Sequence, residues 1–319
     1  MRLKLVPKNT SWEFFARSKL WIGISIVLVV LSLLSFFIQS LNFGIDFRGG
    51  TSIRTESSEP IDVADYRSAL SSLDLGDITI SEVFDPNFAD DQNVAMIRIQ
   101  AQPGQEAATS TLVENSLQKL REVSEDIKFV SVESVGPKVS GELIKTAIIA
   151  VILAISAVLF YIWIRFEWQF AVGAISALIH DVILTIGIFS ALQIKFDLAI
   201  IAAILTIVGY SLNDTVVVFD RVRENLRKFK KRSLVEVMNL SINETMSRTV
   251  MTSVTTLLAL ISLFILGGDV IRGFVFAMIW GVVVGTYSSI FIASAILLWT
   301  GVKRDWSKPN AEAGTQVPQ

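Results

Sequence analysis

A polytopic α-helical membrane protein with one α+β domain inserted between its first two spans is the fold class this sequence predicts, and three observations carry it. Hydrophobic residues fill 52% of the 319 positions and charged residues only 18%, a balance far from that of an ordinary soluble domain. Six stretches, 20–41, 142–164, 170–191, 198–219, 248–266 and 273–299, approach the roughly 20 apolar residues that cross a hydrocarbon core about 30 Å thick. Between the first and second spans, residues 42–141 switch to short alternating and helical patterns, enough chain for one modest core.

Charge placement orients these spans. Residues 1–19 carry Arg2, Lys4, Lys8, Arg17 and Lys19 against Glu13 alone, which assigns the segment to the cytoplasm. The first span ends Phe36-Phe37-Ile38-Gln39-Ser40 without a small-residue cleavage site, so it reads as a retained anchor and not as a signal peptide. The insert 42–141 holds eight basic and seventeen acidic residues, the balance of an extracytoplasmic domain. The link from Asp220 to Arg248 holds eight Lys or Arg, whereas the turns 193–197 and 267–272 hold one each. With an even number of spans, both termini, including the polar tail 300–319, fall on the cytoplasmic side. The absence of cysteine excludes a disulfide framework and locates nothing.

The insert resolves into elements by periodicity. Thr51–Glu56 alternates like a half-buried strand, and 61–73 spaces Ile61, Ala64, Asp65, Ala69, Leu70 and Leu73 at mostly helical intervals. Residues 77–84 and 93–100 alternate again, with Asp85-Pro86-Asn87 and Asp90-Asp91 supplying turn chemistry for a hairpin. A helical run at 106–125 and a last strand at 128–135 complete β-α-β-β-α-β, the ferredoxin-like order. With neither His nor Cys and its acids scattered, the domain reads as a solvated docking module and not as an enzyme; no catalytic, cofactor or metal site is expected in the chain.

The flanks of the insert are more pointed. Phe43-Gly44-Ile45-Asp46-Phe47-Arg48-Gly49-Gly50-Thr51 follows the first span directly, and its three glycines call for tight geometry or close approach. The return segment, Val135-Gly136-Pro137 through Leu143, suits either a stiff joint or a mobile hinge.

Inside the membrane, only His180, Asp181 and Asp214 place ionisable groups deep in the spans. A carboxylate at that depth costs about 2.5–3.5 kcal/mol on insertion scales, so it persists where it faces a polar interior. Adjacent residues on a helix diverge by about 100°, so His180 and Asp181 need not pair; a relay and an interhelical lock both fit them. Around Asp214, Tyr210 four residues earlier and Asn213 beside it supply a polar lane. The fifth span opens with Arg248 and sets Thr245, Thr249, Thr252 and Thr256 along one face. A cytoplasmic link joins these two spans, so Asp214 and Arg248 reach comparable depth and an ion pair between them is open. Arg248 keeps its charge, hence proximity to it favours the carboxylate form of Asp214 and dry burial away from it favours the acid. The same pair also suits a static staple.

Two features read as structural. Gly281 and Gly285 form a small-xxx-small groove in the sixth span. In the link, the stripe Phe219, Val222, Leu226 and Phe229 among Arg and Lys reads as a basic amphipathic segment on anionic lipid or a regulatory docking site, and Ser233 with Glu236 as a capping box opening a short helix.

Together, the segment Phe43–Thr51, Val135-Gly136-Pro137, His180-Asp181, the run Val208–Asn225 and Asn243–Thr249 resemble the SecD/SecF family of the bacterial Sec protein translocase. The resemblance covers nearly the whole chain, leaving out only the tail after Val302. It implies an accessory translocase subunit, similar to half of a proton-driven transporter of the RND superfamily, residing in the inner membrane. It further implies a heterodimer with SecD, contacts with the SecYEG channel, YajC and the translocating polypeptide, use of the proton motive force, and no nucleic-acid partner. Asp214 and Arg248 match the positions to which that family assigns its proton pathway, whereas His180-Asp181 matches a sequence feature without an assigned role. A proton-coupled small-molecule exporter subunit and a passive scaffold are the competing readings.

Overall fold

The computed structural model describes residues 10–302 apart from 74, 77, 86, 87, 90 and 102–109. Arg2, Lys4, Lys8, parts of the turns at 85–91, the first residues of the helical run at 106–125 and most of the tail 300–319 therefore lie outside the described residues.

Among those described, six helical segments are long and apolar enough to cross a membrane. Helix α1 (Ser18–Gln39), entered through a 3-10 turn at Phe14–Arg17, is the first. The chain then makes β1 (Asn42–Phe43), one turn of helix α2 (Ile45–Arg48), β2 (Gly50–Ser57), α3 (Val63–Leu70), β3 (Ile78–Val83), β4 (Asn93–Gln100), α4 (Ser110–Arg121) and β5 (Lys128–Val135). It continues as α5 (Pro137–Arg165), α6 (Trp168–Ala191), β6 (Lys195–Phe196), α7 (Leu198–Lys228), α8 (Leu234–Leu266) and α9 (Asp269–Ser288). A π-helical segment, Ser289–Ala293, carries α9 into α10 (Ser294–Thr300), so these three pieces make one span.

β2 to β5 form an antiparallel sheet in the order β3-β4-β2-β5. Period-2 alternation puts Ile53, Ile80, Ala95, Ile97 and Ile99 into a core shared with Tyr66 and Leu70 of α3 and Leu120 of α4. The opposite face carries Ser52, Arg54, Met96 and Arg98 and covers one end of the helix bundle. There Arg54 pairs with Asp269 at 3.5 Å, and Arg272 Nη1 donates to the Phe84 carbonyl at 3.1 Å. Between sheet and helix ends lies a cavity of about 690 Å³, lined by Arg54, Arg98, Lys195 and Arg272 and by Asp46, Glu133, Asp197 and Asp269. Burial there lowers the pKa of Arg98 from its ordinary value.

The double glycine explains how the domain is anchored. Gly49 (φ 73) and Gly50 (φ 129) occupy backbone conformations that side chains rarely adopt, and a Cβ on Gly49 would stand 3.2 Å from Pro137 Cα. Pro137 occupies the first turn of α5, where its missing N–H costs nothing. Ser140 Oγ donates to the Ile45 carbonyl at 3.3 Å, and β1 pairs in parallel with β6, Phe43 opposite Phe196. Both ends of the insert are thus pressed onto the same turn of chain, which favours the stiff joint over the hinge.

The basic link departs from expectation. α7 runs unbroken to Lys228 and α8 unbroken from Leu234, so the stretch 220–247 is mostly the continuation of two long helices. Phe219, Val222 and Leu226 are buried in one cluster with Val237, Met238 and Ile242, which means the stripe packs helix on helix instead of on lipid. An apolar stripe serves either surface equally well, and here α8 supplies the complementary face. The capping box forms, with Glu236 N to Ser233 Oγ and Ser233 N to Glu236 Oε2 both at 3.2 Å, but it opens the long α8 and not a short helix.

Helices α6, α7 and α9 make the interior of the bundle, and α1, α5 and α8 flank it with exposed apolar faces that include Phe37, Leu153 and Leu266. The groove on α9 does pack: a Cβ on Gly281 would overlap Ile207, and one on Gly285 would stand 3.1 Å from Ser211 Cβ, both on α7.

Candidate functional site

α7 is started by two carboxylates. Asp197 Oδ1 accepts from Ala199 N at 3.1 Å and Ile200 N at 3.4 Å, while Asp46 Oδ2 accepts from Leu198 N at 3.0 Å. At 1.5 Å rise per residue, Asp214 then lies about 24 Å along the helix from Leu198. Its residue is 3% exposed, and its Oδ2 is buried with no hydrogen-bond partner among the described residues. A buried polar atom left in this state costs about 1–3 kcal/mol, more when charged. Such an atom calls for an explanation, and a functional role is one of those available.

Arg248, on α8, is exposed in the isolated chain. Its charge is close enough to bear on the Asp214 carboxyl, yet among the described residues no hydrogen bond or ion pair within 4.0 Å joins the two. The contact that helical depth leaves open is not made in this conformation.

The surrounding polar groups divide. Tyr210 shares a face with Asp214, but its hydroxyl reaches across to Thr256 Oγ1 at 3.5 Å. Thr249 is 1% exposed and its Oγ1 has no partner among the described residues. Thr252 Oγ1 returns to its own helix, at 2.9 Å from the Thr249 carbonyl and 3.1 Å from that of Arg248, and Thr245 Oγ1 does likewise with the Ser241 carbonyl at 3.0 Å. Asn213 is exposed. The threonine face is therefore partly closed onto backbone carbonyls, a habit of helical Ser and Thr, and does not make a continuous lane.

His180 and Asp181, whose pairing helical geometry leaves open, do meet. Nδ1 of His180 lies 3.0 Å from Oδ1 of Asp181, because the imidazole is long enough to bridge the angle between neighbours. Asp181 Oδ2 also accepts from Ser211 Oγ of α7 at 2.7 Å and Ser288 Oγ of α9 at 2.8 Å.

Sequence reasoning missed a second network at the far end of α7. Glu244 Oε2 accepts from Asn225 Nδ2 at 2.6 Å and Arg221 Nε at 2.7 Å, Asn225 also donates to Ser241 Oγ at 3.0 Å, and Arg165 pairs with Asp220 at 3.1 Å. The polar spacing Arg221, Glu224, Asn225 on one side of α7 was the available signal. Asn243 Nδ2 donates to the Trp12 carbonyl at 2.9 Å and its Oδ1 accepts from Trp12 N at 3.0 Å, tying the segment before α1 to α8.

The chain is similar to known proteins in both sequence and fold. Residues 115–303 match the family described as protein export membrane protein SecD/SecF, C-terminal, and residues 34–61 match the SecD/SecF GG motif. Protein translocase subunit SecF of Cereibacter sphaeroides is 58% identical over 99% of this chain and 97% of its own length. The corresponding subunit of Rhodobacter capsulatus is 57% identical over 96% and 94%. A crystal structure of SecDF, a translocon-associated membrane protein from Thermus thermophilus, superposes with a TM-score of 0.80 at 33% identity, covering 94% of this chain and 40% of that one. SecDF in a super-membrane-facing form gives a TM-score of 0.69 at the same coverage. This chain thus spans less than half the length of the SecDF chains it matches.

Proposed function

Because the chain belongs to the SecD/SecF family as a SecF-type subunit of the Sec protein translocase, we propose that it couples proton uptake at Asp214 to protein export, acting with SecD. It is a multi-pass membrane protein. In this reading it sits in the bacterial inner membrane with both termini cytoplasmic, and the sheet domain is a ferredoxin-like periplasmic module. SecYEG, YajC and the emerging polypeptide are its further contacts. The exporter alternative is displaced by relatives at 57–58% identity that are named protein translocase subunits.

One observation carries the proton step: a carboxyl oxygen buried in a membrane helix without a hydrogen-bond partner among the described residues, with Arg248 near but not joined to it. Such a group has two ways to relieve its burial. It binds a proton, or the helices move until the guanidinium reaches it. Alternation between these two states converts proton binding and release into helix displacement. Each charge crossing the membrane contributes about 2.3 kcal/mol per 100 mV, enough to bias a modest interface. Arg248 is exposed on this chain's own surface, so the relay is completed where the SecD helices pack.

Asp214→Asn tests this in membrane vesicles holding the whole complex. The expected result is normal insertion and SecD co-purification with loss of the stimulation of export by a proton gradient. Full stimulation after that change leaves only an anchoring subunit.

A further inference from the structure

Asp181 is the better satisfied of the two buried carboxyls on α6 and α7, and its partners come from three helices. Ser211 Oγ of α7 and Ser288 Oγ of α9 both donate to Oδ2, at 2.7 and 2.8 Å, while His180 Nδ1 on α6 stands 3.0 Å from Oδ1. All four residues are buried, Asp181 to 1% exposure. Two serine hydroxyls from different helices and the neighbouring imidazole converge on one carboxyl, so this knot ties α6, α7 and α9 together.

The packing around it is built for close approach. Gly173, Ala177 and Asp181 follow one another at four-residue spacing on a single face of α6. A Cβ on Gly173 would stand 2.8 Å from the carbonyl oxygen of Ala293, in the π-helical segment that begins directly after Ser288. π-Helical turns are rare and occur often at functional sites. On α7, Ser211 opens the turn that holds Asp214 and ties it to α6, while Thr215 Oγ1 at the other end of that turn returns to the Ser211 carbonyl at 3.1 Å.

We propose that Asp181 is a positioning residue for proton coupling: by holding Ser211 and Ser288 it fixes the rotation of α7, and with it the direction in which Asp214 is presented to α8. This rests on the reading of Asp214 as the proton acceptor. Of the titratable and charged groups on the packed elements, His180 on α6, Tyr210 and Asp214 on α7, Tyr287 on α9 and Arg248 on α8 lie in the middle stretches, whereas others such as Asp220 and Arg221 on α7, Glu236 and Glu244 on α8 and Asp269 and Arg272 on α9 lie nearer the helix ends. The Tyr287 ring lies 6.2 Å from that of His180, and its hydroxyl donates to the Trp21 carbonyl on α1 at 2.8 Å.

The test uses the full chain with SecD in vesicles and reads proton-driven stimulation of export against pH, together with protein level and SecD co-purification. Asp181→Ala and the double change Ser211→Ala with Ser288→Ala are each expected to lower stimulation about 3- to 30-fold at unchanged protein level, the range that coupling mutations outside a ligand site produce. Both are expected to move the pH of half-maximal stimulation. Asp181→Asn keeps an oxygen that can accept both serine hydroxyls, and it is expected to restore most of the stimulation and the original midpoint. Wild-type stimulation and midpoint in the serine pair overturn the proposal, as does an Asp181→Asn protein as impaired as Asp181→Ala. If Asp181→Ala does not accumulate, the near-isosteric serine pair decides. Loss of stimulation in Asp214→Asn with normal Asp181→Ala sinks this inference alone, whereas full stimulation in Asp214→Asn sinks the reading beneath it.

Discussion

Gly50→Ala is the sharpest test of how the sheet domain is fastened to the bundle. Gly50 opens β2, opposite Gln100 of β4 and Val135 of β5, with φ at 129°. An added Cβ would overlap the Ile99 carbonyl oxygen and stand 3.1 Å from Ala101 N and 3.2 Å from Gln100 Cα, all backbone atoms that cannot rotate aside. Backbone strain of this kind costs about 1–3 kcal/mol, and losing two ladder hydrogen bonds adds about 1–3 kcal/mol, for a total of about 2–6 kcal/mol. At tenfold per 1.4 kcal/mol, even the low end lowers amide protection in β2 and β4 by about 30-fold. Native-state hydrogen exchange on the purified chain in lipid discs reads this directly. Gly136→Ala is the matched control, since Gly136 sits at φ −70° with no atom within 4 Å of the added carbon, and its protection is expected to stay near wild type. If the two variants exchange alike, the double glycine is not held by sterics and the account of the anchor is wrong.

Two other outcomes follow from single contacts. Ser233→Ala removes the acceptor of the Glu236 N–H at 3.2 Å and is expected to destabilise the first turn of α8 by about 1 kcal/mol, read as faster exchange at residues 234–237 and unchanged exchange in the middle of the helix. In the sheet domain, hydrogen bonds to Asp126 from Ser124, Ser58 and Ser57 hold its carboxyl below the ordinary value of 3.8. A depressed folded-state value means that the stabilisation is present above about pH 4 and is lost as pH falls toward the folded-state value. Asp126→Asn is therefore expected to flatten the acid limb of the domain's unfolding curve, and an acid limb identical to wild type refutes the assignment.

Much of this fold is legible because its signals are local and periodic. The strands at 93–100 and 128–135 are readable to the residue, the first because its apolar residues alternate toward the core, the second because β-branched residues recur between the turn residues that flank it. The six spans declare themselves by apolar length. What stayed hidden has no period. β1 and β6 are two-residue strands paired across some 150 residues, and Phe47 of α2 packs on Phe43 and Phe196 of that pair. The π-helical segment Ser289–Ala293 reads as ordinary apolar helix. The stripe at Phe219 was visible, but which surface covers it depends on α8, whose matching face at Val237, Met238 and Ile242 starts beyond the basic run. At the site, the acids were found because burying charge is costly and rare, whereas Ser211 and Ser288 are common in membrane helices and gain meaning only from the carboxylate between them.

The two deep carboxyls differ in a way that separates their tasks. Asp181 has each oxygen partnered from within this chain and bridges its own three central helices. Asp214 has an oxygen with no partner among the described residues, and its neighbours Asn213 and Arg248 open onto the surface of the chain. A group that is satisfied at home can hold a structure in one arrangement. A group left unsatisfied changes its energy most when a proton or an outside charge arrives, since the relief of an unpaired buried acceptor is the full desolvation cost and not the small net value of an exchanged hydrogen bond. On the proposed reading, the acid that is incompletely housed does the work at the interface with SecD, and the one completely housed carries that work into the bundle.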